Sequence, residues 1–209
     1  IAYRCRGAVK DGHIAAFETV MAGQNLMAQG PGAPKDKAND NVLEGLPEAY
    51  LETVANHRFG DAPLDLPVPV MWWRSVYSST NAFAYESFID ELAASAGVDP
   101  LTLRRRHLES PRLQALIDKL EQVSGWKNRK AGDGYGASLT YCFSSYAAHV
   151  VKVSSASGGG IAIDKVWSVI DCGVAVNPDV IRQQVEGSIV MALGAATTHE
   201  ITFERDQSL

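Results

Sequence analysis

Cysteine is scarce in this chain, with three in 209 residues, and Cys5, Cys142 and Cys172 lie far apart with no CxxC pair among them. An odd, scattered set builds no disulfide framework, and it reads as three buried thiols in a reducing compartment. Long apolar runs are also missing, so no segment has the length and composition of a membrane-spanning helix. Positive charge is in deficit: 19 Lys and Arg against 24 Asp and Glu leave a net charge of -5. That balance disfavours nucleic acid and anionic membrane as partners. His57, His107, His149 and His199 show no metal-ligand spacing, and no internal repeat is visible. What remains, 46% hydrophobic and 21% charged residues, is ordinary globular composition with length for one good core or two modest ones.

Residues 1–23 read as a β-hairpin: Ala2 to Lys10 runs in, Asp11-Gly12 turns, and His13 to Met21 runs out. Residues 28–48 are rich in Gly, Pro, Asn, Asp and Lys, which marks a long loop. Pro63, Pro67 and Pro69 keep the chain extended into residues 70–73. A helix follows, with N-cap candidates at Ser78 to Asn81. Its apolar stripe is Tyr85, Phe88, Ile89, Leu92 and Ala96, with Glu86, Asp90 and Glu91 outside it and Gly97 at its end. Asp99-Pro100 starts a second helix through Leu108, and Ser110-Pro111 starts a third, striped by Leu113, Leu116, Ile117, Leu120 and Val123 and closed by Gly125. Residues 137–153 and 161–170 are strand-like, separated by a flexible turn at 154–160. Asn177 caps a further helix with Pro178 as its first residue, and a strand begins at Glu200. Without regular βαβ alternation the class is α+β, mixed sheets with packed helices. Residues 1–5 read as the middle of a strand and residues 202–207 as a strand entering a turn, so a segment of a longer protein is expected.

Several motifs suggest chemistry and most fall to plainer readings. Gly132 to Gly136 lacks the preceding strand and following helix of a dinucleotide loop, and reads as a flexible lead into a strand. Arg104-Arg105-Arg106 on an amphipathic helix reads as a solvated face rather than an anion site. Ser144-Ser145 has no base nearby in sequence to activate a nucleophile. Trp72-Trp73-Arg74-Ser75-Val76-Tyr77, just before a helix N-terminus, is either an aromatic wall with an anion-binding edge or a packed corner. Gln184 shares a helix face with Ile181, Gly187, Ser188 and Met191, and a carboxamide among small side chains argues for a buried polar ligand beside it.

These pieces occur together, and in order, in one family: Trp73-Arg74-Ser75-Val76, residues 81–93 (NAFAYESFIDELA), Asp99-Pro100-Leu101, Asp171-Cys172-Gly173, Val176-Asn177-Pro178, Gln184-Val185-Glu186-Gly187 and Glu200-Ile201-Thr202. The chain resembles the molybdopterin-binding large subunit of the xanthine dehydrogenase/aldehyde oxidase family, in particular the isoquinoline 1-oxidoreductase β-subunit and membrane-bound aldehyde dehydrogenase branch. The resemblance implies a molybdenum hydroxylase that oxidises N-heteroaromatics or aldehydes with water-derived oxygen. A molybdenum–pterin cofactor and a glutamate base would do the chemistry, and electrons would leave through iron–sulfur clusters on a small 2Fe-2S partner subunit. It further implies that Gln184 hydrogen-bonds the cofactor, that Arg74, Ser75 and Val76 bind it, and that Trp73 and Tyr77 line the substrate cavity. Cys172, Gly173 and Asn177 match the turn that sets the helix of Gln184. Two positions depart from the family pattern: Tyr77 and Ser188 stand where glycine is usual.

The family's catalytic glutamate is expected beyond residue 209, so no catalytic residue and no protein metal ligand is assigned within the chain, and the chain by itself is expected to be inactive. The expected organisation is a hairpin of an incomplete domain at 1–27, a linker at 28–70, and a partial molybdopterin-binding α+β domain at 71–209. The rival expectation is a non-catalytic structural or interaction domain derived from the same fold. Compartment is left open between bacterial cytoplasm and periplasm, with membrane association only through partners.

Overall fold

The computed structural model describes residues 1–28, 43–45, 50–130 and 132–202, apart from the Glu52 side chain. Two compact units are present, Ile1–Asp171 and Cys172–Leu209.

The first unit opens with β1 (Ala2–Lys10) and β2 (His13–Gly23), an antiparallel hairpin turned by Asp11 and Gly12, both at positive φ. β3 (Asn56–Pro63) then adds parallel to β2, giving a sheet of order β1-β2-β3. Along β2 the alternation places Phe17, Thr19 and Met21 inside, and the register shift that skips Ala15 brings Ile14 in as well. Phe17 meets Phe88 edge-on at 5.6 Å, so the hairpin shares its core with the first helix. The loop expected at 28–48 lies mostly outside the described residues.

Helix α1 (Tyr77–Ala96) ends at Gly97, whose φ of 63° gives the left-handed cap. None of the expected Ser78–Asn81 hydroxyls or amides caps its start; the N-cap is Val76, with no side-chain cap bond. Those side chains are used elsewhere: Ser78 donates to Glu44 Oε1, Ser79 to the Val76 carbonyl, and Asn81 to the Glu44 carbonyl. Helix α2 (Pro100–Arg105) is capped by Asp99, which accepts the Thr102 N–H. Helix α3 (Pro111–Ser124) buries Leu113, Leu116, Ile117 and Leu120, while Val123 is exposed.

β4 (Gly134–Cys142), β5 (Ser145–Ser155) and β6 (Ile161–Asp171) form an antiparallel sheet in that order. The strand-like stretch 137–153 is therefore two strands, joined at Phe143-Ser144 with φ of 46° and 62°. A positive-φ pair without Gly or Asn carries none of the usual hairpin signal. Ala137, Leu139, Ala148 and Val150 form the buried face of this sheet.

Two sequence readings are corrected at the α1–β4 contact. Glu86, placed outside the stripe, is 3% exposed, and Arg104, placed on a solvated face, is fully buried. Arg104 Nε pairs with Glu86 Oε2 at 2.9 Å, and Arg104 Nη1 pairs with Asp90. Glu86 Oε2 also accepts the Leu139 N–H at 2.7 Å, and Arg104 Nη2 donates to the Ala137 carbonyl at 2.9 Å. The outer edge of β4 thus spends its backbone groups on an ion cluster carried by helices, which closes an edge otherwise open to other chains.

β6 ends at Asp171, gripped by the Arg112 guanidinium of α3. In the second unit Gly173 has φ of 76°. Asn177 Oδ1 accepts the Asp179 and Val180 N–H groups and starts helix α4 (Pro178–Thr197), none of whose residues is buried. Residues 200–202 hold no regular structure, and the rest of the strand expected from Glu200 lies outside the described residues.

Candidate functional site

Residues 74–76 form a tight turn between an extended segment and α1. Ser75 has φ of 64°, and Val76 has φ of 48° with ψ of -125°. A β-branched residue at positive φ is a backbone outlier, of the kind that persists only where surroundings hold it. The Val76 N–H bonds the Trp73 carbonyl and the Ser78 N–H bonds the Ser75 carbonyl, both at 2.9 Å. The outcome is a turn at the positive end of a 20-residue helix, with the Arg74 side chain exposed. The Ser75 hydroxyl donates to the Arg74 carbonyl, which leaves a guanidinium and a helix N-terminus as groups suited to an oxygen-rich anionic ligand.

Trp72 and Trp73 are about half exposed, at 54% and 46%, whereas Tyr77 is 2% exposed. The Tyr77 ring packs against Met21. Its hydroxyl accepts the Leu26 N–H at 2.8 Å and donates to the Gln24 carbonyl at 3.4 Å. Burial pushes the Tyr77 phenol above its ordinary pKa, with a smaller push from Asp61, so it is a protonated donor at neutral pH.

Beside the turn lies a cavity of about 440 Å³ lined by Val76, Tyr77, Trp72, Tyr141, Phe143 and Glu44 among others. Tyr141, Phe143 and Glu44 carried no sequence signal as lining residues, because the Phe143-Ser144 turn that brings the first two there was not legible. A second cavity, about 450 Å³, is polar, but Asp99 pairs with Arg129 and Glu121 with Arg105 and Lys127, so its walls largely satisfy themselves.

Gln184 is exposed on α4 in the second unit; Ile181, Ser188 and Met191 on the same face are half-buried and Gly187 is exposed. The Ser188 hydroxyl bonds the Val185 carbonyl at 2.7 Å, which turns it back onto its own helix. Among the described residues no group of three or more His, Cys, Asp or Glu could hold a metal ion.

Comparison with known proteins places the chain in a family. The sequence profile of the molybdopterin cofactor-binding domain matches residues 83–209. The chain belongs to the molybdopterin cofactor-binding domain family. Within curated relatives, the beta chain of isoquinoline 1-oxidoreductase from Brevundimonas diminuta is 32% identical over 140 residues, 64% of this chain and 18% of its own length. A nicotinate dehydrogenase subunit from Pseudomonas putida is 30% identical over 156 residues, 66% of this chain and 13% of its own length. The chain therefore spans less than a fifth of the length of either relative. Among solved structures, the aldehyde oxidoreductase from Desulfovibrio gigas is similar over 77% of this chain and 20% of its own, with a TM-score of 0.44 and 20% identity. The matched profile takes in α4 with Gln184 and most of α1, and begins after the Arg74–Val76 turn.

Proposed function

We propose that this chain is a segment of the molybdopterin-binding subunit of a molybdenum hydroxylase acting on N-heteroaromatics or aldehydes with water-derived oxygen. The observation that carries the reading is the match of residues 83–209 to a cofactor-binding family, a stretch that takes in Gln184, exposed on α4; Arg74, exposed just before α1, is a separate candidate donor. These groups fit a cofactor rich in anionic and carbonyl-type oxygens, because they are hydrogen-bond donors without carboxylates among them. When bound, the molybdenum–pterin group supplies the electrophile and the redox change. This chain's residues bind and orient it: Arg74 by charge, the Ser75–Val76 turn by backbone, Gln184 by its carboxamide. The catalytic base and the iron–sulfur clusters belong to parts of the enzyme other than these residues, the clusters on a small 2Fe-2S partner subunit.

The half-exposed indoles of Trp72 and Trp73, with Trp72 and Phe143 both lining the cavity, favour a flat heteroaromatic substrate over an aliphatic aldehyde. Turnover of aliphatic aldehydes with no heteroaromatic oxidised would reverse that preference.

The experiment that tests the cofactor reading compares Gln184→Ala with Gln183→Ala in the intact subunit. Alanine keeps the helix at either position. Gln183 points about 100° around α4 from Gln184. Gln184→Ala is expected to lose roughly 1–3 kcal/mol of cofactor hydrogen bonding, seen as lower molybdenum content and turnover at unchanged folding. Equal effects at the two positions would remove Gln184 from the site.

A further inference from the structure

The Ser75–Val76 turn carries short-range bonds: Val76 N–H to the Trp73 carbonyl, Ser78 N–H to the Ser75 carbonyl, the Ser75 hydroxyl to the Arg74 carbonyl, and the Ser79 hydroxyl to the Val76 carbonyl. Such bonds define the turn, and the Val76 side chain packs on the Met21 and Tyr77 side chains. A backbone outlier persists when the structure around it over-determines it, so an external brace is needed. Tyr77, the first residue of α1, supplies one. Its ring is buried against Met21 of β2, and its hydroxyl joins the Leu26 N–H and the Gln24 carbonyl in the segment leaving that strand. The brace extends to the other side of the turn. The Gln24 side chain, 8% exposed, accepts the Leu66 N–H at 3.2 Å and donates to the Val68 carbonyl at 2.7 Å, in the segment that leads into Trp72 and Trp73. Gln24 and Tyr77 thus hold the chain before and after residues 74–76 against one short stretch at the end of β2.

We infer that Tyr77 is a positioning residue for cofactor binding: its hydroxyl, set between the Leu26 N–H and the Gln24 carbonyl, keeps the Ser75–Val76 backbone and Arg74 in the form that meets the cofactor. The inference rests on the reading that residues 74–76 bind the cofactor. Tyr77 also lines the cavity beside the turn, and the inference gives it a second role, as the support beneath residues 74–76. A phenylalanine would keep the ring packing and lose both hydroxyl bonds, leaving a backbone N–H unpaired and the turn free to relax.

The test uses the complete, cofactor-loaded enzyme. Tyr77→Phe, Arg74→Ala and wild type are purified, their melting temperatures recorded, and molybdenum content followed by metal analysis during timed dialysis. Tyr77→Phe is expected to melt within a few degrees of wild type yet release molybdenum about tenfold faster, a difference that a purely structural role would not produce at matched stability. Wild-type release from Tyr77→Phe together with fast release from Arg74→Ala would overturn the role of Tyr77 and leave the binding turn standing. Wild-type release from both would overturn the binding turn itself, and the inference with it. Should Tyr77→Phe not fold, Gln24→Ala carries the test, since it cuts the ties to Leu66 and Val68: faster release supports the brace, and wild-type release overturns it.

Discussion

Arg104 shows how one side chain can hold several elements at once. Its guanidinium is fully buried and bonds Glu86, Asp90 and the carbonyls of Pro100, Glu86 and Ala137. Glu86 also accepts from the Tyr50 hydroxyl. Removing the cation strands two carboxylates, so Arg104→Met should cost about 3–5 kcal/mol in denaturant unfolding. Its neighbour Arg105, whose side chain is 32% exposed while it pairs with Asp118 and Glu121, should cost under about 1 kcal/mol on truncation to Ala. A smaller loss at Arg104 than at Arg105 would contradict the cluster. His107 adds a pH dependence. Its Nε2 accepts the Ile14 N–H at 2.9 Å, so that nitrogen carries no proton in the fold. Burial, with the charges of His13 and Arg106, lowers its pKa below the ordinary 6.5. The folded chain therefore binds fewer protons than the unfolded one below that value. The contribution is fully present above pH 6.5 and is lost as pH falls through the depressed folded value. Urea midpoints measured downward from pH 7.5 should fall less steeply in His107→Gln than in the parent, and parallel curves would show that His107 titrates as it does unfolded.

At the scale of elements, two helices that start with the same Xaa-Pro pattern are built differently. Asp99 caps α2 through the Thr102 N–H at 2.9 Å, and its other oxygen accepts from Trp126 Nε1 at 2.8 Å and from Arg129. Ser110 precedes α3 with no side-chain cap bond. Asp99→Ala should cost about 2 kcal/mol, the upper end for a cap, because the Trp126 and Arg129 contacts go with it, while Ser110→Ala should stay within about 0.5 kcal/mol. Thermal or denaturant unfolding of the pair checks this, and comparable losses would mean that the pattern, not the bonds, sets helix stability. Burial works to raise the Asp99 pKa, but the Thr102 N–H, Trp126 and Arg129 outweigh it and hold it below 3.8. Its share of stability is therefore present above that value and lost as pH falls below it.

At the scale of the whole molecule, the two units are unequal. The core of buried residues, from Ile14 to Val150, belongs to the first. The second carries a 20-residue helix with no buried residue, on which Val180 and Val190 are 48% and 71% exposed. The proposed donors, Arg74 to Val76 and Gln184, are few for a large cofactor, and a site short of donors is not preorganised. The 209-residue chain alone should take up substoichiometric molybdenum when expressed where the cofactor is made. Metal analysis of the purified chain checks this; a stoichiometric value would mean that these few residues suffice.

Much of this architecture was legible because it is local. Asp11-Gly12 turns the hairpin, Asp99-Pro100 and Asn177-Pro178 start helices, and Gly97 and Gly125 end them, each through a backbone preference belonging to the residues themselves. The ordered motifs around Trp73–Val76 and Gln184 likewise mark the family in the sequence itself. Other features needed the tertiary structure. Glu86 and Arg104 read as solvent-facing because periodicity cannot show that a charge has a buried partner across the fold. The parallel pairing of β3 with β2 joins residues about forty positions apart, and the Phe143-Ser144 turn depends on strand pairing to hold residues at positive φ that neither prefers. Tyr77 shows the same division: sequence placed it beside the turn at residues 74–76, but only the fold decided that its hydroxyl points into the protein, toward Leu26 and Gln24.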